Sequence, residues 1–375
     1  MKFILIFTIL FTFSTAEHIY VSDKSLFKET TKMVFIGDSL TERRDKRSYV
    51  NDLIDRVSEL YNNNIVLGYI PLEYYRTKLD GVKLGLTSSE LKRMWGESDR
   101  KFSEPPYAFS PDGKGIYVET IKKPGITFLT INLAFKENKT YDMIRIYYMK
   151  QPKGGSFTVE FKDGESKDKV EVNTASKSYS LGWIDISSSA QKRDKIYMSG
   201  ITENTAIYGV RPYSLGLPPR SFSYDVFARN GILLKDFTQL SNIATHQYFK
   251  DGRYDVAVIN LGTNDARYGD RGGIPVEEFR QRMLVYVNKI KQASPGTKIV
   301  LLEPVMPQDY YSNGNQLEEY TEERIKMAIR YGWGYIDTHL LWEGYNHEYY
   351  KDGTHPNDRG KKAIAELVFD YLNNN

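Results

Sequence analysis

The apolar pattern is densest first at Met33 to Ile36, an unbroken run that stops at Gly37 and gives way to Asp38 and Ser39. β-branched and aromatic residues in a row predict a strand buried on both faces, and the glycine marks where the backbone turns sharply out of it. Tyr49, Leu53, Ile54, Val57 and Leu60 then recur at helical spacing, and Ile65 to Ile70 is a second strand or a packed loop ending at Pro71. From about Thr77 to Arg220 the pattern changes. Turn signals at 111–113, 123–125, 153–155 and 162–164 separate short segments at 126–133, 141–148, 156–161 and 195–198, the rhythm of an antiparallel sandwich. Beyond Pro218-Pro219 strands and helices alternate. A strand at 223–229 runs into Asn230-Gly231-Ile232, and another at 255–261 ends in Gly262-Thr263-Asn264-Asp265. A helix follows with Phe279, Met283, Val287 and Ile290 on one face, then a strand at 298–302 and a helical pattern through Leu317, Ile325 and Ile329. The last helix carries Ile364, Leu367, Val368, Tyr371 and Leu372. Strands with intervening helices imply an α/β fold with a parallel sheet covered on both faces. The expected organisation is one α/β domain built from 17–76 and 221–375, interrupted by an all-β insert at 77–220.

Composition changes this picture at the amino end. Lys2, the apolar stretch from Phe3 to Phe13 and the small residues Ser14-Thr15-Ala16 have the form of a secretory leader cleaved after Ala16, too short to span a bilayer comfortably. Without residues 1–16 the net charge is +2, which gives no nucleic-acid footprint. With 41% hydrophobic and 14% aromatic residues the chain can bury its own cores, and the absence of cysteine excludes disulfides, a thiol nucleophile and thiolate metal ligands. An exported, disulfide-free protein suits a bacterial periplasm. His18, His246, His339 and His347 have no carboxylate or imidazole at ligand spacing, so neither a metal nor a cofactor is expected.

Ser39 falls at the carboxyl end of the first strand, the edge where open α/β sheets bind ligands. A serine hydroxyl becomes a nucleophile when an imidazole takes its proton and a carboxylate fixes that imidazole, and Asp352-Gly-Thr-His355, just ahead of the terminal helix, supplies both groups. The loops at Asn230-Gly231 and Gly262-Thr-Asn264 end neighbouring strands. The amides of Ser39 and Gly231 and the side-chain NH2 of Asn264 are the donor types an oxyanion hole needs.

In this order, Gly37-Asp-Ser39-Leu40, Asn230-Gly231, Gly262-Thr-Asn264-Asp265 and Asp352-Gly-Thr-His355-Pro356 resemble the SGNH, or GDSL, hydrolase superfamily. The resemblance implies a three-layer α/β/α hydrolase with Ser39 as nucleophile, His355 as base and Asp352 as its partner. It also implies that Ser39, Gly231 and Asn264 supply the oxyanion donors. The β-rich insert resembles the family-35-like carbohydrate-binding jelly roll carried by bacterial peptidoglycan O-acetylesterases, whose serine is often followed by histidine where this chain has Leu40. That implies removal of acetyl groups from muramic acid in the periplasm, with O-acetylated peptidoglycan or a related glycan as partner. Trp183 and the insert tyrosines are candidates for stacking on sugar rings. Transfer of acetyl to a glycan hydroxyl, hydrolysis of other carbohydrate or lipid esters, and non-catalytic glycan binding are the alternatives.

Overall fold

The computed structural model describes residues 25–42, 48–72, 82–86, 92–93, 102–119, 129–134, 141–161, 169–187, 193–216, 219–266, 274–305, 317–341 and 347–374. The leader at 1–16, His18 and the turn signals at 123–125 and 162–164 lie outside them. The chain opens with β1 (Thr30–Gly37), α1 (Tyr49–Leu60) and β2 (Ile65–Leu67). A run of strands follows: β3 (Ile70–Pro71), β4 (Val82–Leu86), β5 (Lys92–Arg93), β6 (Ile116–Val118), β7 (Leu129–Ala134), β8 (Met143–Lys150), β9 (Ser156–Phe161), β10 (Lys169–Asn173), β11 (Ser180–Ser187), β12 (Arg193–Ser199) and β13 (Thr205–Tyr213). The remainder is β14 (Ser221–Ala228), α2 (Leu234–Gln239), α3 (Asn242–Gly252), β15 (Val256–Asn260), α4 (Val276–Ala293), β16 (Lys298–Leu302), α5 (Leu317–Tyr331), β17 (Gly334–Ile336) and α6 (Asp358–Asn374).

Six strands form one sheet in the order β17, β16, β15, β1, β14, β2, every pairing parallel. The side chains of β1 divide between its faces. Met33 and Phe35 join Val258, Val300 and Ile336 in a core shared with Leu53 and Val57 of α1 and Ile364 and Val368 of α6. Val34 and Ile36 join Ala257, Ile259, Ile299 and Leu301 in a second core with Phe237 of α2, Phe249 of α3 and Met283 of α4. Each such side chain contributes roughly 1.5–3 kcal/mol by burial, on both faces of the strand. This is an α/β/α fold. Chain order reverses around β1 and β14, and in that register Gly37 lies beside Ala228 and Asn260. The three loops leaving these strands therefore emerge side by side.

The strands between β2 and β14 form two antiparallel sheets, β10-β9-β12-β7-β4 and β11-β8-β13-β6-β5, with β3 paired to β13. Phe157, Val159, Ile196 and Met198 of the first are buried in one core with Ile144, Ile146 and Tyr148 of the second. The chain enters the second sheet at Ile70, directly after β2. That sheet also meets the α/β layers. Tyr147 donates to Asp251 of α3 at 2.8 Å, Arg145 pairs with the same carboxylate at 2.7 Å, and Arg211 of β13 pairs with the buried Asp225 of β14.

Two residues read as apolar-face positions are exposed: Leu60, the last residue of α1, at 45%, and Ile329 of α5 at 67%. The buried stripe of α5 is instead Tyr320, Arg324, Met327 and Ala328. Arg324 can lie there because Glu303 accepts from it at 2.8 Å and the Leu261 carbonyl at 2.7 Å. Among the described residues no helix is long and apolar enough to cross a membrane.

Candidate active site

The turn after β1 is built by Asp38. Its carboxylate accepts from Leu40 N at 2.9 Å and its carbonyl from Glu42 N at 2.9 Å, which turns the backbone tightly around Ser39. A Cβ at Gly37 would come within 2.1 Å of the Thr41 hydroxyl and 2.9 Å of the Asn260 carbonyl, so the turn closes only on glycine. Leu40, where the resembling enzymes often have histidine, is buried.

At the other end of the chain, His355 Nε2 lies 3.0 Å from Ser39 Oγ, and His355 Nδ1 lies 3.0 and 3.1 Å from the two Asp352 oxygens. With Nδ1–H donated to the carboxylate, Nε2 is left to accept from the serine hydroxyl. Asp352 also accepts from the backbone of His355 at 2.8 Å and of Thr354 at 3.2 Å. Burial alone raises the Asp352 pKa, but these two amides and the imidazole outweigh it and hold the carboxyl below its ordinary value. The loop is closed by Lys351 N donating to the His355 carbonyl at 2.8 Å. Asn357 caps α6 by accepting from Gly360 N at 3.0 Å and reaches back to the Tyr350 carbonyl at 3.3 Å.

The other predicted residues gather on the same edge. Gly231 sits at φ +68°, a left-handed conformation that favours glycine, in a turn closed by Ile232 N donating to the Arg229 carbonyl at 3.2 Å. Asn264 is buried and donates from Nδ2 to Asp38 at 3.2 Å and to the Ile232 carbonyl at 3.1 Å. Its amide thus ties the serine turn to the glycine turn, with both protons directed at these two acceptors. Next to it, Asp265 is fully buried. Burial raises its pKa to about 7, with the Asp236 and Asp38 charges adding, against the Leu234 amide and Arg324.

Sequence reasoning missed several groups. Ser39, Leu40, Glu42, Ser48, Asn230, Lys351, Asp352, His355, Pro356 and Lys361 line one open cleft of about 210 Å³. Of these, Glu42, Ser48 and the two lysines were not singled out. Glu42, three residues after the serine, was the one nearest to hand. His339, read as lacking a carboxylate or imidazole at ligand spacing, has a single carboxylate beside it: Asp337 accepts from its backbone at 2.8 Å and lies 3.1 Å from its ring. That pair follows β17, three strands from β1 at about 4.8 Å each, and is not part of the Ser39 constellation.

A parallel α/β/α sheet whose central strand delivers a serine to an imidazole–carboxylate pair is the arrangement of the SGNH hydrolases. Residues 217–363 match the GDSL-like Lipase/Acylhydrolase family. The match includes Gly231, Asn264, Asp352 and His355 but not Ser39, which β1 brings to them. An acetylxylan esterase of Xylanibacter ruminicola is 29% identical over 175 residues, 39% of this chain and 34% of that protein, so the likeness spans about a third of the curated relative. A solved peptidoglycan O-acetylesterase superposes with a TM-score of 0.67 at 15% identity, covering 92% of this chain and 90% of that one, a likeness of fold.

Proposed function

We propose that this protein is a periplasmic serine esterase that removes O-acetyl groups from the muramic acid of peptidoglycan. The observation that carries the reading is the unbroken contact chain from Ser39 Oγ through His355 to Asp352 in an open cleft. Ser39 Oγ attacks the acetyl carbonyl carbon while its proton passes to His355 Nε2. The oxyanion formed is met by the Ser39 and Gly231 amides and by Asn264, which exchanges its long bond to the neutral Ile232 carbonyl for a charge-assisted one. Breakdown returns the Nε2 proton to the departing sugar oxygen and leaves acetyl on Ser39. Water then attacks, gives its proton to Nε2, and acetate leaves as Ser39 Oγ recovers that proton.

The wall-glycan substrate is supported by the cleft itself. Lys351 and Lys361 line it beside Ser39, and muramic acid carries a lactyl carboxylate or its peptide extension, whereas an acetylated xylose unit is neutral. The leader-like residues 1–16 support export. The test is acetate release from O-acetylated peptidoglycan, from acetylxylan and from p-nitrophenyl acetate, by the wild type and by Ser39→Ala. Release that is fastest per ester from peptidoglycan and lost in the variant is the expected outcome. Acetylated glycan product in place of free acetate would make the protein a transferase, and faster release from acetylxylan would move the substrate.

A further inference from the structure

The segment at 102–115 belongs by sequence to the β-rich middle of the chain, yet it packs against the α/β layers. Ser241 N, at the start of α3, donates to the Ala108 carbonyl at 2.7 Å. Further along, Ser110 Oγ donates to the Lys114 carbonyl at 2.7 Å and Lys114 N to Asp112 at 3.1 Å, so the segment just before β6 is internally braced. It presents two groups to the Ser39 edge. The Gly113 carbonyl accepts from the buried Arg229 at 2.9 Å, and the Arg229 guanidinium lies 5.0 Å over the Phe102 ring. Lys114 Nζ lies 2.6 Å from Glu42 Oε1, with side-chain exposures of 6% and 4%.

The second oxygen of Glu42 accepts from Asn230 N at 2.8 Å. Asn230 and Gly231 are the central residues of the turn closed between Ile232 N and the Arg229 carbonyl, so holding Asn230 N holds the Gly231 amide as well. The turn is tied to the serine strand on its other side, where Arg229 N donates to the Gly37 carbonyl at 3.2 Å. A carboxylate this deeply buried is sustained by its partner cation, and a misplacement of about 1 Å at a reacting group can cost on the order of 100-fold in rate.

We infer that the Glu42–Lys114 ion pair positions the Gly231 oxyanion donor, so that the β-rich segment contributes a working part of the catalytic centre. This rests on the esterase reading above. Lys114 and Glu42 are positioning residues: neither touches the ester, and Lys114 acts only by fixing Glu42.

The experiment compares Lys114→Met with two charge-free doubles, Lys114→Met/Glu42→Gln and Lys114→Met/Glu42→Leu, on p-nitrophenyl acetate, with circular dichroism and Tm as folding controls. The glutamine carbonyl can still accept from Asn230 N, and leucine cannot. Lys114→Met is expected to lower kcat roughly tenfold with KM little changed, less than the loss for deleting an oxyanion donor because the donor is displaced and not removed. Adding Glu42→Gln restores most of kcat, and adding Glu42→Leu does not. Equal kcat in the two doubles, or wild-type kcat in a folded Lys114→Met, overturns the inference. If Lys114→Met fails to fold, the two doubles decide alone. Wild-type protein that neither cleaves the ester nor reacts with a fluorophosphonate at Ser39 would overturn the esterase reading instead.

Discussion

Ser39, His355 and Asp352 form one proton path, so removing either end of the Ser39–His355 contact should remove nearly the whole benefit. Ser39→Ala and His355→Ala are expected to lower kcat on an acetyl ester by about 10⁴-fold or more with the fold intact by circular dichroism, and Asp352→Ala by less. Residual activity near wild type in Ser39→Ala would refute the assignment. Asn264 has a double position, since its amide bridges Asp38 and Ile232 in the resting protein. Asn264→Ala is therefore expected to lower kcat by about 10²–10³ with KM little changed, and also to lower Tm, because two buried bonds are lost. A change confined to KM would make it a ground-state contact. Asp265 offers a pH test. Its pKa is raised from 3.8 to about 7 in the folded protein, so between about pH 4 and 7 the unfolded chain has released a proton that the folded one keeps. Stability contributed at this site falls as pH rises through that window and is level above it. Urea unfolding across pH 4–8 should show Asp265→Asn gaining on the wild type up to about pH 7 and no further. A difference independent of pH would mean that Asp265 is ionised throughout.

At the scale of elements, β1 was legible because its apolar run is continuous and its flanks are unambiguous, and α4 and α6 because their buried residues keep a 3.6 period. α2 and α3 were not. The buried residues of α3 are Ala244, Thr245, Tyr248 and Phe249, a small, a polar and two aromatic side chains, and Tyr248 is met by Tyr69 edge-on at 5.4 Å and by the tilted ring of Tyr147 at 4.7 Å. The helix takes its apolar partner from another part of the chain, and local periodicity carries no trace of that. The loop at 349–357 is the reverse case. Its motif was plain in sequence, but beside its backbone bonds it is held by the Asn357 cap, which joins the first turn of α6 to the Tyr350 carbonyl. Asn357→Ala should cost about 1 kcal/mol of stability as a lost N-cap. It should also lower kcat several-fold, since His355 is two residues away and its register on Ser39 depends on this loop. Thermal melts and p-nitrophenyl acetate kinetics on one preparation check both, and a loss of Tm with unchanged kcat would show the loop to be held by its own bonds.

For the whole molecule, the four motif blocks were enough to assemble the edge of the sheet, and the place where the insert enters put it beside that edge, while the ion pairs of the junction were not legible. Arg145–Asp251 and Lys114–Glu42 join residues far apart in sequence and Arg211–Asp225 joins two adjacent strands of different sheets, with no spacing that announces any of them. This bears on how a polymer would be gripped. Trp183, a candidate sugar platform, is 41% exposed, but the Arg145 guanidinium lies 5.5 Å over its ring and is itself bound to Asp251. Asp251 is at the last turn of α3, just before β15 begins, and so on the sheet edge opposite Ser39. A glycan seated in the cleft is better met by Lys351 and Lys361, which line it. Each solvent-accessible lysine facing a wall carboxylate, Lys351 exposed and Lys361 partly buried beside Asp358, contributes roughly 0.2–1 kcal/mol, or up to about fivefold in affinity, and is screened by salt. Replacing both with methionine should therefore lower kcat/KM for O-acetylated peptidoglycan by about tenfold and by much less for p-nitrophenyl acetate, which is neutral. Raising salt from 50 to 500 mM should shrink that difference. Trp183→Ala should leave both substrates as they were and lower Tm through the junction. If instead Trp183→Ala slows the wall substrate alone while the double lysine variant does not, the polymer runs across the β-rich sheets, and the cleft lysines take no part in choosing it.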